Sequence, residues 1–186
     1  PKAPYCTLFI DHPASELRVW LWQTWKRDIT GVLVWSINYW TSPAEYTEHA
    51  QNPYEDPMGY RSRYDDPEVK QYWGNGDGRF LYPPLSAAEP GIGGEGPVIE
   101  PPVSSIRLEM LREGIEDYEM LWTLRDLLST HGQDLPAEQR TQYEDLLEVP
   151  PEISRSMTEF TTDSTPIFEH RRKVAEAIER LTASTP

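Results

Sequence analysis

The spacing of hydrophobic residues along the chain predicts helices at residues 14–28, 105–129 and 166–182, and Pro136 after Asp134 indicates a further helix at 136–147. Pro13 suits the first helical position of the first one, and Gly31 is placed to end it. The second helix can be capped by Ser104 or Ser105. Its apolar stripe comprises Leu108, Leu111, Ile115, Tyr118, Trp122 and Leu128. A solvated face is predicted for Glu113, Glu116, Asp117 and Arg125.

The strongest strand signal is the run from Gly31 to Trp40. Its first half is almost continuously apolar, which is typical of a strand buried on both faces of a parallel sheet. Its second half turns polar at Ser36 and Asn38, and alternation puts both on one face with Trp40. Trp35, Ile37 and Tyr39 then lie on the opposite face.

Residues 41–103 are interrupted by prolines and predict a long irregular region. The many tyrosines within it, together with Trp73 and Phe80, favour partial order over a disordered linker. Its Gly-, Pro- and Glu-rich part at residues 86–102 is predicted to be the most mobile.

Composition narrows the class of protein. Against 17 basic residues the chain has 31 acidic ones, a net charge of −14, which argues against nucleic acid or an anionic membrane as partner. No apolar run is long enough for a membrane helix. The single Cys6 excludes a disulfide framework. Seven Trp and ten Tyr favour a surface on which sugar rings stack, although tryptophans also fill cores.

Other chemistry finds little support in the sequence. His12, His49, His131 and His170 are scattered without metal-ligand spacing, so we expect neither a metal nor a cofactor. The glycine-rich run at residues 74–78 lacks the Lys-Ser/Thr of a phosphate loop and is predicted to be a tight turn. Ser36 has no evident partners for nucleophilic catalysis.

A succession of short motifs runs along the first two thirds of the chain. In order they are Phe9-Ile10-Asp11, Trp22-Gln23, Gly31-Val32-Leu33, Asn38-Tyr39-Trp40, Gly74-Asn75-Gly76-Asp77-Gly78, Leu81-Tyr82-Pro83, Ser105-Ile106-Arg107-Leu108-Glu109 and Arg112-Glu113-Gly114-Ile115-Glu116-Asp117-Tyr118-Glu119. In order and spacing they resemble the C-terminal part of the catalytic domain of glycoside hydrolase family 123, also catalogued as domain of unknown function 4091. The resemblance covers about residues 5–128.

The resemblance implies an α/β fold: the C-terminal portion of a (β/α)8 TIM-type barrel, with long proline-rich active-site loops and C-terminal helices. We therefore expect a barrel portion at residues 1–130 and a helical extension at 131–186. It also implies hydrolysis of β-linked N-acetylgalactosamine, in which the sugar's own 2-acetamido oxygen attacks the anomeric carbon beside an Asp-Glu pair. An extracellular or periplasmic location would be consistent with such an enzyme.

This sequence contains no Asp-Glu dipeptide, so we assign it no catalytic residue. The chain begins at Pro1 without an initiator Met and offers one barrel strand, whereas a whole barrel takes about 250 residues. We therefore expect a fragment, with the catalytic pair and the remainder of the barrel upstream.

The predicted contribution of this chain is sugar binding, by Trp35, Asn38, Trp40, Trp73, Asn75 and Asp77. Asn38 would hydrogen-bond a hydroxyl or acetamido group, and Trp40 or Trp35 would stack on the ring. Trp35 is equally consistent with burial between strand and helix. A non-catalytic carbohydrate-binding or interaction module remains the alternative, as does a related enzyme with another glycoside or no activity.

Overall fold

The structure is a computed structural model that describes residues 4–88 and 99–183. In chain order its elements are α1 (Ser15–Trp25), β1 (Met58–Ser62), β2 (Lys70–Asn75), β3 (Leu81–Tyr82), α2 (Leu85–Ala88), β4 (Val103–Ser104), α3 (Ile106–His131), a 3-10 turn (Gly132–Asp134), α4 (Ala137–Asp145) and α5 (Thr165–Ala183). The chain divides into two compact units. The first comprises residues 1–7, 15–32 and 110–186, and the second comprises residues 8–14 and 33–109.

The first unit is helical and has an apolar core. Side chains from α1, α3, α4, α5 and the segment after α4 meet there: Val19, Trp22, Trp25, Leu121, Leu124, Leu128, Tyr143, Val149, Ile153, Ile167, Val174, Ala177 and Leu181. Helix α1 packs closely on α3 at Gly114, where an added Cβ would lie 3.1 Å from Arg18 Cα. Burial of this apolar surface is the main favourable contribution to the unit's stability.

A buried ion pair crosses this helical core. The Arg18 guanidinium donates to both carboxylate oxygens of Asp117, at 2.7 and 3.0 Å, and Trp22 Nε1 donates to Asp117 Oδ2 at 2.8 Å. Asp117 is 2 % exposed, so the predicted solvated face is wrong at this position. Ile115 and Trp122, predicted to belong to the apolar stripe, are exposed. The buried face of α3 is rotated toward Gly114 and Asp117 because Arg18 neutralises the carboxylate.

The predicted helices are confirmed with small shifts of their ends. α1, α3, α4 and α5 all lie at the expected places, and Ser105 caps α3 by accepting from the Leu108 N–H at 3.3 Å. The predicted stop of α1 at Gly31 is wrong: the helix ends at Trp25, and the left-handed backbone that follows it is at Asp28, with φ 52°. Within the described residues, no helix is long and apolar enough to cross a membrane.

The second unit is built from two small antiparallel sheets. Strands β1 and β2 form a hairpin that pairs Met58 with Asn75 and Ser62 with Lys70, with an irregularity after Gly59. β3 pairs with β4. The region 41–103 is thus more regular than its prolines predict. Residues 89–98, the centre of the segment predicted to be most mobile, lie outside the described residues.

The predicted strand at residues 31–40 is wrong, although the whole run is described. Asn38 forms an isolated antiparallel bridge with Arg79, and Phe80 N donates to Ile37 O at 2.8 Å. A buried barrel strand needs neighbours along both edges. The described residues form no closed barrel, so a barrel portion is not confirmed. Leu33, an apolar residue of the predicted strand, is 81 % exposed.

Candidate functional site

An aromatic cavity of about 250 Å³ lies in the second unit. Its lining residues come from the segment before the hairpin, from both hairpin strands and from the turn after them: Trp35, Tyr39, Gly59, Tyr60, Arg61, Trp73 and Asp77. Two indoles, two phenols, one cation and one carboxylate therefore surround a single space. Cavities with aromatic walls and a few polar groups are typical ligand sites.

One wall of the cavity is the pair Trp35 and Tyr39, whose ring centroids are 5.1 Å apart. The backbone of Tyr39 is held by its N–H, which donates to Gly78 O at 2.8 Å. Gly78 has φ 70°, and a Cβ there would lie 2.8 Å from Trp35 Cζ2. Glycine is therefore needed at this turn both for its backbone and for the space the indole takes.

The one carboxylate among the lining residues is Asp77, which is 6 % exposed. Trp35 Nε1 donates to Asp77 Oδ1 at 3.0 Å, which fixes the indole edge against the carboxylate. A carboxylate has about four acceptor positions, so Asp77 retains capacity for hydroxyl donors of a ligand.

Two buried arginines hold the turn that carries Asp77. Arg79 Nη1 donates to Asp77 O at 3.2 Å, and Arg107 Nη1 donates to Gly76 O at 2.8 Å. Burial lowers the pKa of both guanidinium groups. Arg79 also lies 5.1 Å from the centroid of the Tyr39 ring, so it supports the wall as well as this turn. Both arginines act on the cavity through the backbone and rings that they position.

The opposite wall belongs to the hairpin. Trp73, on β2, is half exposed, and the Arg61 guanidinium of β1 lies 4.6 Å from its ring centroid. Guanidinium groups stack on indole faces through cation–π attraction. Arg61 therefore covers part of Trp73 at the cavity rim.

A hydrogen-bonded carboxylate holds Tyr60 in place. Tyr46 and Tyr60 both donate to Asp56 Oδ2, at 2.6 and 2.9 Å. Burial opposes ionisation of Asp56, yet these bonds and the Met58 N–H outweigh it and lower its pKa. The pKa of Tyr46 is raised to about 12, chiefly by its bond to Asp56, and burial together with the same carboxylate raises the pKa of Tyr60. Both phenols are thus neutral donors at physiological pH.

The structure brings together three of the six residues predicted to bind sugar, namely Trp35, Trp73 and Asp77. The other three lie elsewhere. Asn38 bridges to Arg79, Trp40 Nε1 donates to Leu81 O at 2.8 Å, and Asn75 Nδ2 donates to Asp11 Oδ1 at 3.0 Å.

Four lining residues escaped prediction, namely Tyr39, Gly59, Tyr60 and Arg61. Alternation along residues 31–40 puts Tyr39 on the same face as Trp35, and both residues line the cavity. The prediction of sugar-binding residues instead favoured the opposite, polar face. The hairpin residues lie in a stretch whose prolines hid its strands. Alternation of side chains in residues 58–62 and 70–75, two short runs that can pair as a hairpin, was the pattern that could have indicated them.

A second cavity of about 480 Å³ lies in the same unit and includes the ring pair Tyr54 and Tyr82. None of the predicted site residues lines it. In residues 4–88 and 99–183, no group of three or more His, Cys, Asp or Glu side chains is placed to hold a metal ion.

Comparison with family models gives a match to one described as glycoside hydrolase 123, catalytic domain, over residues 2–124. The match spans about two thirds of the chain. The chain belongs to glycoside hydrolase family 123. A comparison with curated proteins gives no match.

Membership confirms the resemblance read from the motifs and supports glycoside hydrolysis as the general activity, with a carbohydrate as substrate. The aromatic cavity lies within the matched residues, and so does the turn that carries Asp77. The last helices, α4 and α5, lie beyond the family 123 match.

Proposed function

We propose that this chain supplies the sugar-binding cavity of a family 123 enzyme that hydrolyses β-linked N-acetylgalactosamine. The observation that carries the proposal is the meeting of Trp35, Trp73 and Asp77 around one small cavity. Its volume of about 250 Å³ is below that of typical pockets for drug-sized molecules, about 300–1,000 Å³, which suits one sugar ring.

Four of the lining residues have a role in this proposal. The indoles of Trp35 and Trp73 pack on the C–H faces of the ring, which excludes water from it. Asp77 accepts from ring hydroxyls, and the neutral Tyr60 phenol bounds the cavity beside the hairpin. Buried acceptors of this kind give a site its specificity, because a ligand that lacks the matching donor leaves them unpaired.

The catalytic groups belong to another part of the enzyme in this proposal. The sequence has no Asp-Glu dipeptide, the pair that the family resemblance implies. An Asp would orient the 2-acetamido group, its oxygen would attack the anomeric carbon, and a Glu would protonate the leaving oxygen. This chain would hold the ring in position for that attack, an effect worth several orders of magnitude in rate.

We further propose that residues 1–130 are the C-terminal portion of a barrel and that residues 131–186 are a helical extension. Leu33 and Ile37 are exposed, and the remainder of the barrel would cover them.

Calorimetric titration with N-acetylgalactosamine tests the binding role directly. We expect saturable binding that Trp35→Ala and Trp73→Ala each weaken at least tenfold, since each removes one stacking face. The matched control is Trp122→Ala, because Trp122 is 46 % exposed and belongs to the first unit. Equal affinity in Trp35→Ala, Trp73→Ala and the unaltered chain would overturn the proposal.

The catalytic part of the proposal needs the longer polypeptide. With the upstream domain present, a chromogenic β-N-acetylgalactosaminide should be hydrolysed, and Trp35→Ala should reduce kcat/KM. The alternative of a non-catalytic binding module is favoured by one observation: every lining residue of the cavity belongs to a single compact unit. Sugar binding without hydrolysis by the longer polypeptide would select that alternative.

A further inference from the structure

Arg61 is an exposed cation at the rim of the aromatic cavity. It projects from β1, and its guanidinium stacks on the Trp73 ring with 4.6 Å between the guanidinium carbon and the ring centroid. Stacking engages the face of the planar guanidinium. Its N–H groups lie in the plane of the guanidinium and so remain able to donate to the acceptors of a ligand.

The other cations of the hairpin are neutralised by carboxylates. Arg63 makes two bonds of 2.6 Å to Asp65, and Lys70 Nζ lies 3.0 Å from Glu45 Oε2. Within residues 4–88 and 99–183, no carboxylate lies within ion-pair distance of Arg61. Arg61 is therefore the hairpin cation whose charge is left available to a ligand.

A second cation lies against the cavity wall. Arg79 is fully buried, and its guanidinium donates to the neutral oxygens Ser42 Oγ at 2.8 Å and Gln51 Oε1 at 2.9 Å. Its Nε has no hydrogen-bond partner among the described residues. Arg79 lies against two lining residues, because its charge faces the Tyr39 ring and a Cβ on Gly59 would lie 3.4 Å from its Nη1.

The two charged lining residues differ in exposure. Asp77 is nearly buried and accepts from the Trp35 indole, whereas Arg61 is exposed. The cavity therefore offers a nearly buried acceptor for hydroxyl groups and an exposed cation. A ligand that matches both is a sugar with hydroxyls on its ring and a negatively charged substituent at one edge.

We infer that the cavity selects a sugar unit bearing an anionic oxygen group, a carboxylate or a sulfate ester, and that Arg61 recognises that group. The inference rests on the proposed function, since it names the substrate class of the same cavity. Guanidinium–oxyanion bonds are charge-assisted and often bidentate, which gives both attraction and geometric selectivity. Trp73 holds the guanidinium in place and so reduces the entropy lost on binding.

Calorimetric titration of the chain with three sugars tests the inference. The sugars are N-acetylgalactosamine, its 6-sulfate and galacturonic acid, so the two anionic arms separate sulfate from carboxylate. We expect at least one anionic sugar to bind about tenfold more tightly than N-acetylgalactosamine. That preference should disappear in Arg61→Gln and weaken as salt screens the charge.

Arg63→Gln is the matched control, because Arg63 lies two residues along the same hairpin and its charge is already engaged by Asp65. It should retain the preference. Affinity for the neutral sugar in Arg61→Gln reports whether Trp73 keeps its position once the guanidinium no longer stacks on it.

Two results would overturn the inference. One is equal affinity for all three sugars, and the other is an anionic preference that survives in Arg61→Gln. Either result, with N-acetylgalactosamine still bound through Trp35, leaves the proposed function standing. Failure of all three sugars to bind would count against the proposed function itself.

Discussion

Trp35 and Asp77, 42 positions apart in the sequence, are joined by a hydrogen bond of 3.0 Å from the indole Nε1 to Oδ1. This bond fixes the edge of the indole, while Tyr39 and Gly78 fix its face. A stacking residue held at both edge and face loses little freedom when it binds a sugar. The pair is therefore the preorganised part of the cavity.

Replacing Asp77 by Asn should weaken sugar binding about tenfold. The amide still fills the space, but hydrogen bonds to a charged acceptor contribute about 1.5–3 kcal/mol and those to a neutral one about 0.5–1.5 kcal/mol. Calorimetry with N-acetylgalactosamine measures the change. Asp65→Asn, an exposed carboxylate outside the cavity, should leave the affinity unaltered. Unchanged binding by the Asp77 variant would remove this carboxylate from the site.

Replacing Gly78 by Ala should disturb both stability and binding. A side chain at φ 70° costs about 1–3 kcal/mol, and the new Cβ would lie 2.8 Å from the Trp35 ring. We expect a lower midpoint of urea unfolding and weaker sugar binding.

The control for Gly78→Ala is Gly31→Ala, where an added Cβ meets nothing within 4 Å. Its free energy of unfolding should change by less than about 1 kcal/mol. Full sugar affinity in Gly78→Ala would show that the position of Trp35 does not matter.

Helical periodicity was sufficient to place α1, α3 and α5, because each carries an apolar face longer than two turns. α4 buries only Tyr143 and was placed by Pro136 at its start. It missed the orientation of α3. Asp117 breaks the apolar pattern, and its partner Arg18 lies 99 residues earlier in the chain. An ion pair between distant segments leaves no periodic signal in either of them.

The strand at residues 31–40 was predicted from an apolar run alone. Such a run predicts that its residues are buried, but it does not predict which element of structure buries them. In the described residues Asn38 pairs with Arg79 and the run remains largely irregular. Only three of the seven lining residues were predicted, for a related reason. Trp35, Trp73 and Asp77 stand out by residue type, whereas Gly59 and Arg61 reach the cavity only because β1 pairs with β2.

The Arg18–Asp117 pair gives a stability prediction for the helical unit. Arg18→Met should lower the free energy of unfolding by about 3 kcal/mol, because it removes the two-bond partner of a buried carboxylate and leaves only Arg171 Nη1, 3.3 Å from Asp117 Oδ1. Urea denaturation followed by circular dichroism measures the loss. Arg140→Met removes an exposed pair with Glu144 and should cost less than about 1 kcal/mol. Similar losses in the two variants would contradict the role given to the buried pair.

His170 gives a prediction of pH dependence. Burial and the nearby Lys173 lower the pKa of its imidazole, although a bond of 2.9 Å to Leu146 O opposes the shift. As the pH falls, the unfolded chain therefore takes up a proton on this histidine before the folded chain does. It does so near pH 6.5, the ordinary pKa of histidine. Stability should therefore be retained above that pH and fall as the pH drops below it.

Urea denaturation at pH 7.5 and pH 5.5 measures this dependence. His170→Gln should lose less stability between the two values than the unaltered chain, since glutamine does not titrate. An identical loss in both proteins would assign the dependence to other groups.

The central claim is that a sugar enters the cavity between Trp35 and Trp73. Titrating the 15N-labelled chain with N-acetylgalactosamine while following the seven tryptophan indole N–H resonances tests it most directly. We predict that the chemical shifts of the Trp35 and Trp73 signals change saturably with one common Kd, while those of Trp22, Trp25 and Trp122 do not change. Saturable shifts confined to tryptophans outside the cavity, or no shift at any of the seven, would contradict the account.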